Sequence, residues 1–499
     1  MKKNKLLIFK ILTLKLLVFI SYFSYSQNMM TKEQFISLLA QKYDTYKEPS
    51  ITHRRFKHAE IQVLIENLKK NNLLQVSSLG KSIEGRNIPL ITLGSGRTKI
   101  LLWSQMHGDE STATMALFDI FNFFSKTDEF DELKKDFLSK VALYFVPMLN
   151  PDGAEVWKRR NAYDIDLNRD AVRLQSPEAV ILKSVRDSLN PEFGFNLHDQ
   201  SVFYTVGNTR TPATISFLAP AFNYEKDINL VRGNAMKVIA ELTEMLYQFM
   251  PAQVAKYNDD FEPRAFGDNI QKWGTSVILI ESGGYAKDPE KQYIRKMNFL
   301  AMMMSIYSIA NKNYEKYTIE QYNSIPFNER LLKSMVLRGL TMKKNKKDYK
   351  IDVAYIYNEV MLSNYKDFYY KSSIDEVGDL SIFYGYEEIS CEGMTGEEGK
   401  VYPQKLNSIE DVKKLNLRDL YKEGYTAVRL ENVKVSEDFT SLGINIIVKT
   451  NRIDKEVGMG KNPDLVIRQN GKVRYVVING FVQDLEKTEK TIKNALIYR

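Results

Sequence analysis

Five short stretches of nearly unbroken apolar sequence, set apart by helical ones, constrain this chain most. "IPLITLG", "KILLWSQM", "VALYFVPML", "FGFNLHD" and "SVILIESGG" carry apolar residues at successive positions. That is the pattern of strands buried on both faces. Between them, "STATMALFDIFNFF" and "SPEAVILKSVRDSL" have helical spacing, the second opening on Ser176 as N-cap with Pro177 in the first turn. This alternation predicts an α/β fold with a mixed, largely parallel central sheet covered by helices. Two helices precede it, over "TKEQFISLLAQKYDTYK", where Thr31 and Gln34 fit a capping box, and "HAEIQVLIENLKKNN". A last one, around "YIRKMNFLAMMMSIYSIANKN", closes it.

From about Tyr314 the texture changes. "RGLTMKKNKKDYK" is basic and poor in apolar residues, and reads as a loop or linker. Beyond it, "YKIDVAYIY", "GDLSIFYGY", "AVRLENVKV", "INIIVKT" and "PDLVIRQNGKVRYVVING" alternate and are rich in Val, Ile and Tyr, with an Asn-Gly hairpin signal in "RQNGKV". With 499 residues, two domains are the natural expectation. The reading is an export signal over 1–26, an α/β domain over 27–314 and a β-rich C-terminal domain over 315–499.

The export signal rests on a basic "MKKNK", an apolar "LLVFISYFS", and Ser24 and Ser26 placed for a cut before Gln27. Lys10 and Lys15 interrupt that stretch, which leaves too little apolar length for a stable membrane span. The protein is thus expected to be exported, to a bacterial periplasm or the exterior. Five lysines of residues 1–26 contribute to the net charge of +8 and leave +3 for the rest, so no nucleic-acid surface is indicated. Cys391 is the single cysteine. No intrachain disulfide is possible, and His, Glu and Asp remain as metal ligands.

Of the four histidines, two stand where strands end. "SQMHGDES" puts His107 and Glu110 three apart directly after "KILLW", and His198 ends "FGFNLHD". Open α/β sheets bind ligands at strand ends. A catalytic zinc takes three protein ligands from His and carboxylate and keeps a fourth place for water, a set that His107, Glu110 and His198 would supply. His53 and His58, in "THRRFKHAE", read as surface or structural, and the HExxH pattern is absent. "NPDGAEVWKRRNAYDIDLNRD" is dense in donors, and its Arg159, Arg160 and Arg169 can fork onto a carboxylate or a developing oxyanion. In "SVILIESGG", Glu281 ends an apolar strand before two glycines that let the chain turn away. Such surroundings raise a carboxyl pKa and fit it to take and return a proton.

In this order, the HxxE pair, "NPDG", "RRN", "DLNR", a strand-end His and a strand-end Glu resemble the zinc metallocarboxypeptidases of the carboxypeptidase A-like family. "GKSIEGRNIPLITLG" is similar to the start of that family's catalytic domain. The resemblance covers roughly residues 45–311 and does not reach 315–499. It implies a zinc ion held by His107, Glu110 and His198, with Asp166 orienting the first histidine. It implies Glu281 as general base, Arg159 at the oxyanion with Arg160 as a competitor, Asn168 and Arg169 gripping the substrate's terminal carboxylate, and Tyr257 as the mobile tyrosine. Asp170 and Ala171 depart from the digestive members. The charges Asp259, Asp260, Glu262, Arg264 and Asp268 leave the specificity pocket open, with Arg264 either favouring an acidic side chain or facing solvent. The expected activity is that of an exported zinc-dependent metallocarboxypeptidase acting on peptide or protein C-termini. Its alternatives are a carboxypeptidase of peptidoglycan stem peptides beside diaminopimelate, a deacylase of acylated amino acids, and a catalytically inactive binding protein.

Overall fold

The computed structural model describes residues 30–431, 433–448 and 454–499, so the expected export signal lies outside the described residues. Nine strands come from the first part of the chain: β1 (Gln75–Lys81), β2 (Asn87–Leu93), β3 (Thr98–Ser104), β4 (Val141–Val146), β5 (Phe193–Asp199), β6 (Thr205–Val206), β7 (Ile215–Leu218), β8 (Val254–Lys256) and β9 (Ser276–Ser282). All but β6 form one eight-stranded sheet, ordered β1-β2-β4-β3-β5-β9-β7-β8. Its centre is parallel, β4 with β3, β3 with β5 and β5 with β9, while β1, β2 and β7 run antiparallel to their inner neighbours. The expected mixed, largely parallel sheet is what the chain builds.

The continuous apolar runs are explained by burial on both faces. Phe193, Phe195 and Leu197 point into a core shared with α1 (Lys32–Tyr46), α2 (His58–Leu68), α3 (Thr112–Ser125), α4 (Asp131–Lys140) and further helices. On the opposite face Leu101, Trp103 and Val277 pack with Ala179, Leu182 and Val185 of α6 (Pro177–Leu189), while the short α5 (Pro151–Glu155) turns Ala154 into the first core. The capping expectations hold: Thr31 and Gln34 form the capping box of α1, and the Ser176 hydroxyl accepts from the Ala179 N–H at the head of α6. Three more helices complete the cover: α7 (Leu230–Leu246), α8 (Phe266–Lys272) and α9 (Gln292–Asn311).

The first core runs past residue 315, since Tyr314, Tyr322 and Ile325 are buried in it. The two-residue strand β10 (Asn328–Glu329) then pairs with β6. After it come β11 (Leu332–Lys344), β12 (Lys347–Met361), β13 (Phe368–Gly378), β14 (Tyr384–Ser390), β15 (Thr395–Glu398), β16 (Lys400–Leu406), β17 (Tyr425–Leu430), β18 (Phe439–Thr440), β19 (Asn445–Ile447), β20 (Leu465–Gln469), β21 (Lys472–Ile478), β22 (Phe481–Asp484) and β23 (Ala495–Tyr498). They form two sheets, β13-β12-β11-β15-β20-β21-β22 with β14 beside β11, and β16-β17-β19-β23-β18. The β-rich texture is confirmed, and the Asn-Gly pair is the hairpin between β20 and β21, with Asn470 and Gly471 both at positive φ.

One expectation is corrected. The basic stretch "RGLTMKKNKKDYK" is no linker but the tip of the β11–β12 hairpin, turning at Asn345 and Lys346 with φ of 52° and 64°. Its lysines are exposed ends of paired strands, so they carry no apolar alternation to read.

Candidate metal centre

The site sits at the C-terminal ends of β3, β5 and β9. β5 and β9 are paired in register with His198 opposite Glu281, so strand pairing alone makes those two side chains neighbours on one face. The turn leaving β3 delivers the other two. Gln105, buried, adopts φ 50°, a left-handed conformation that non-glycine residues avoid. Its side-chain amide donates to the Gly108 carbonyl (2.9 Å) and accepts from the Thr114 hydroxyl (3.1 Å), which locks the turn that aims His107 and Glu110 inward.

Gly108 has no space for a side chain. A Cβ there would lie 2.1 Å from the Gly153 carbonyl carbon and 2.5 Å from the Lys158 oxygen. That contact explains "NPDG". Asn150 caps α5 by accepting from Gly153 N–H (2.9 Å) and donates its amide to the Arg159 carbonyl (3.2 Å), while Asp152 accepts from Ser82 and Arg86, both at 2.7 Å. The motif is thus scaffold: it docks the "GKSIEGR" loop and holds the backbone at Arg159.

Five expected site residues meet in one cluster. The Nδ1 atoms of His107 and His198 stand 3.2 Å apart, and each lies 2.8 Å from an oxygen of Glu110. His107 Nε2 donates to Asp166 Oδ1 (3.1 Å), which leaves Nδ1 as the nitrogen facing the cluster. Arg159 Nη1 reaches Glu110 (3.0 Å) and His107 Nδ1 (3.1 Å), and its Nε reaches Asp166 (3.1 Å). Arg160 turns away to the Asp164 carbonyl, so of the two arginines it is Arg159 that joins.

The remaining residues surround this cluster. Asp166 caps a short 3-10 turn, Leu167–Arg169, by accepting from the Asn168 N–H. The Asn168 oxygen accepts from the Phe266 N–H (2.9 Å) at the head of α8, and Arg169 pairs with Glu262 (3.2 Å) at the surface. Tyr257 is half-buried at the end of β8, and burial, then the charge of Glu281, push its phenol above the usual range. Asp259 and Asp260 pair with Lys226, and Arg264 with Glu262, so the open question over Arg264 resolves to solvent. His58 binds the Asn87 carbonyl, away from the site. The glycines after Glu281 serve close approach, not a turn: neither has positive φ, and a Cβ on Gly283 would lie 2.0 Å from the Ala213 oxygen.

Charge follows from this packing. Burial works against a proton on His107, but Glu110 and Asp166 outweigh it and lift the imidazole to about 9. Burial lowers His198. Burial raises Glu281 well above the carboxylate range, and the charge of Glu110 adds to the rise. The cluster fits a zinc ion: His107, Glu110 and His198 offer ligand atoms all within 4.8 Å of one another, with the Nδ1 atoms of both histidines facing the carboxylate. Ligands 2.0–2.1 Å from a tetrahedral ion lie about 3.3 Å apart, close to the spacing observed.

Comparison with known proteins finds likeness over part of the chain. Residues 61–172 match the zinc carboxypeptidase family. That stretch contains His107, Glu110, Arg159, Asp166, Asn168 and Arg169, while His198 and Glu281 lie beyond it. The "Probable carboxypeptidase 2" of Arthroderma benhamiae is 26% identical over 220 residues, 42% of this chain and 39% of its own. Carboxypeptidase SOL1 of Arabidopsis thaliana is 30% identical over 106 residues, 20% of this chain and 22% of its own. The chain therefore spans well under half the length of these relatives. Among solved structures, a metallo-carboxypeptidase of Burkholderia cenocepacia covers 52% of this chain and 70% of its own at 15% identity, with a TM-score of 0.41.

Proposed function

We propose that the protein is an exported zinc-dependent metallocarboxypeptidase that hydrolyses a C-terminal peptide bond. The observation that carries this reading is the convergence of His107, Glu110 and His198 beside a Glu281 whose proton affinity is raised by burial and by Glu110. When bound, zinc supplies a Lewis acid and a water of lowered pKa. The residues do the rest. Glu281, at the edge of the cluster, takes the proton of the attacking water and returns it to the leaving amine. Asp166 fixes the tautomer and tilt of His107 through their 3.1 Å hydrogen bond. Arg159, with its side chain 44% exposed, is open to a substrate carbonyl and stabilises the oxyanion that develops there. Asn168 and Arg169 bind the substrate's free carboxylate, for which Glu262 is the resting partner of Arg169. Tyr257, whose phenol feels the charge of Glu281, is the residue proposed as the mobile tyrosine.

Export is part of the same reading and rests on the pattern of residues 1–26; no helix among the described residues is long and apolar enough to cross a membrane. The test is to incubate the zinc-loaded protein with mixed peptides and with muropeptides beside Glu281→Gln, and to identify products by mass spectrometry. Stepwise loss of single C-terminal residues is expected, slowed roughly 10²–10⁴-fold by the substitution. The digested class separates ordinary peptides from peptidoglycan stem peptides. Equal rates for the two proteins would refute the role of Glu281, and no cleavage by either would refute the activity.

A further inference from the structure

One side chain of the C-terminal sheet touches both loops that leave the site. Val202 lies four residues after His198, and Gly284 three after Glu281, so they sit on the loops that leave β5 and β9. Tyr386 of β14 stands between them. Its phenol donates to the Val202 carbonyl at 2.6 Å. On the other side, a Cβ built on Gly284 would lie 2.1 Å from the Tyr386 oxygen, 2.8 Å from the Val202 carbonyl oxygen and 3.0 Å from the Val202 Cβ. The glycine leaves just the room the phenol fills.

The phenol is also held firmly from behind. β14 runs parallel to β11 from Leu332 to Arg338. The Leu332 N–H donates to the Phe203 carbonyl (3.0 Å), and Glu388 binds both Arg338 (3.2 Å) and Arg210 (3.3 Å). The chain that follows Val202 is therefore tied to the C-terminal sheet twice, at Phe203 and at Arg210 beyond β6. Burial keeps the Tyr386 hydroxyl protonated, and so a donor.

We propose that Tyr386 is a positioning residue of the metal site, wedged between the loops leaving β5 and β9 so that it sets the gap between His198 and Glu281. This inference rests on the proposed function, and it gives residues 315–499 a role inside the catalytic device. The gap matters because His198 belongs to the ligand cluster and Glu281 must reach the attacking water. An error of about 1 Å there is enough to slow a reaction by orders of magnitude.

The test uses the full chain as wild type, Tyr386→Phe, Gly284→Ala and the double variant. Phe keeps the ring and removes the oxygen that an alanine Cβ at 284 would strike. Three readouts are taken: zinc affinity by chelator competition, kcat and KM on a cleaved peptide, and the histidine side-chain NMR signals of the zinc-free protein. With four histidines the spectrum is simple to assign.

Gly284→Ala is expected to weaken zinc binding five- to tenfold, to lower kcat at unchanged KM, and to shift His198 but not His58. Tyr386→Phe is expected to lower kcat two- to fivefold, and the double variant to recover part of the Gly284→Ala loss. Variants that match wild type in zinc affinity and in the His198 signals overturn the wedge. So does a double variant no better than the product of the single effects. Wild type that binds zinc but cleaves nothing removes the proposed activity and leaves the wedge to be judged on affinity and NMR. Wild type that binds no zinc overturns both.

Discussion

His107 has four polar neighbours, Glu110, Asp166, Arg159 and His198, and its balance between them sets how the metal-free protein responds to pH. Glu110 and Asp166 hold a proton on it up to about 9. A metal must displace that proton, so acid competes with zinc and alkali favours it. Apparent zinc affinity is expected to rise roughly tenfold per pH unit from 6 to 8 and to level near 9, since one proton leaves as the ion binds. Chelator competition at three pH values checks this, and a flat profile would show that His107 is not the titrating ligand. Asp166→Asn removes the charge behind His107 Nε2. It should weaken zinc roughly 10–100-fold and flatten the same slope, because His107 then releases its proton at lower pH.

At the scale of elements, the site depends on two backbones passing closer than side chains allow. Gly108 on the turn after β3 meets Gly153 in α5, and both are glycine because each faces main chain. Gly108→Ala must push α5 or the His107 turn outward. It is expected to cost about 2–3 kcal/mol by overpacking and to lose tight zinc binding, both measurable on the purified variant by denaturant unfolding and metal titration. Retention of wild-type zinc affinity would mean that the turn tolerates the shift.

For the whole molecule, the two halves are locked by charge as well as by Tyr386. Glu359 of β12 accepts from Arg54 and from Arg55 (2.8 Å), while Glu290 accepts from the Arg54 N–H (2.9 Å) and from Arg55 (2.8 Å). Arg55 is 1% exposed and packs 3.9 Å from the Phe368 ring centroid. The network reaches the site, because Ser111, next to Glu110, donates to the Arg54 carbonyl at 2.6 Å. Glu359→Gln would leave the buried guanidinium with one carboxylate fewer. Glu359 is itself partly exposed, so the expected loss is discounted to about 1–3 kcal/mol. It should appear as a lower denaturation midpoint with unchanged m-value, still in one transition. Two separate transitions in the wild type would show that the halves do not fold together.

Much of this was open to reading in the order of residues. Runs such as "KILLW" and "SVILIES" dictate strands because apolar side chains at successive positions need cover on both faces. The HxxE spacing and the strand-end His and Glu mark the metal site because chemistry demands those residue types. Local signals, such as the Thr31 capping box and the Asn470–Gly471 turn, act within a few residues and so survive without context. What needed tertiary structure is whatever depends on distant chain coming close. That Arg159 rather than Arg160 joins the cluster depends on which way a loop is held by Asn150. That Gly283 and Gly284 are glycine for lack of space depends on Ala213 and Tyr386, far away in sequence. The role proposed for Tyr386 has no local pattern at all, since a tyrosine on a strand becomes a wedge only when two other strands end beside it.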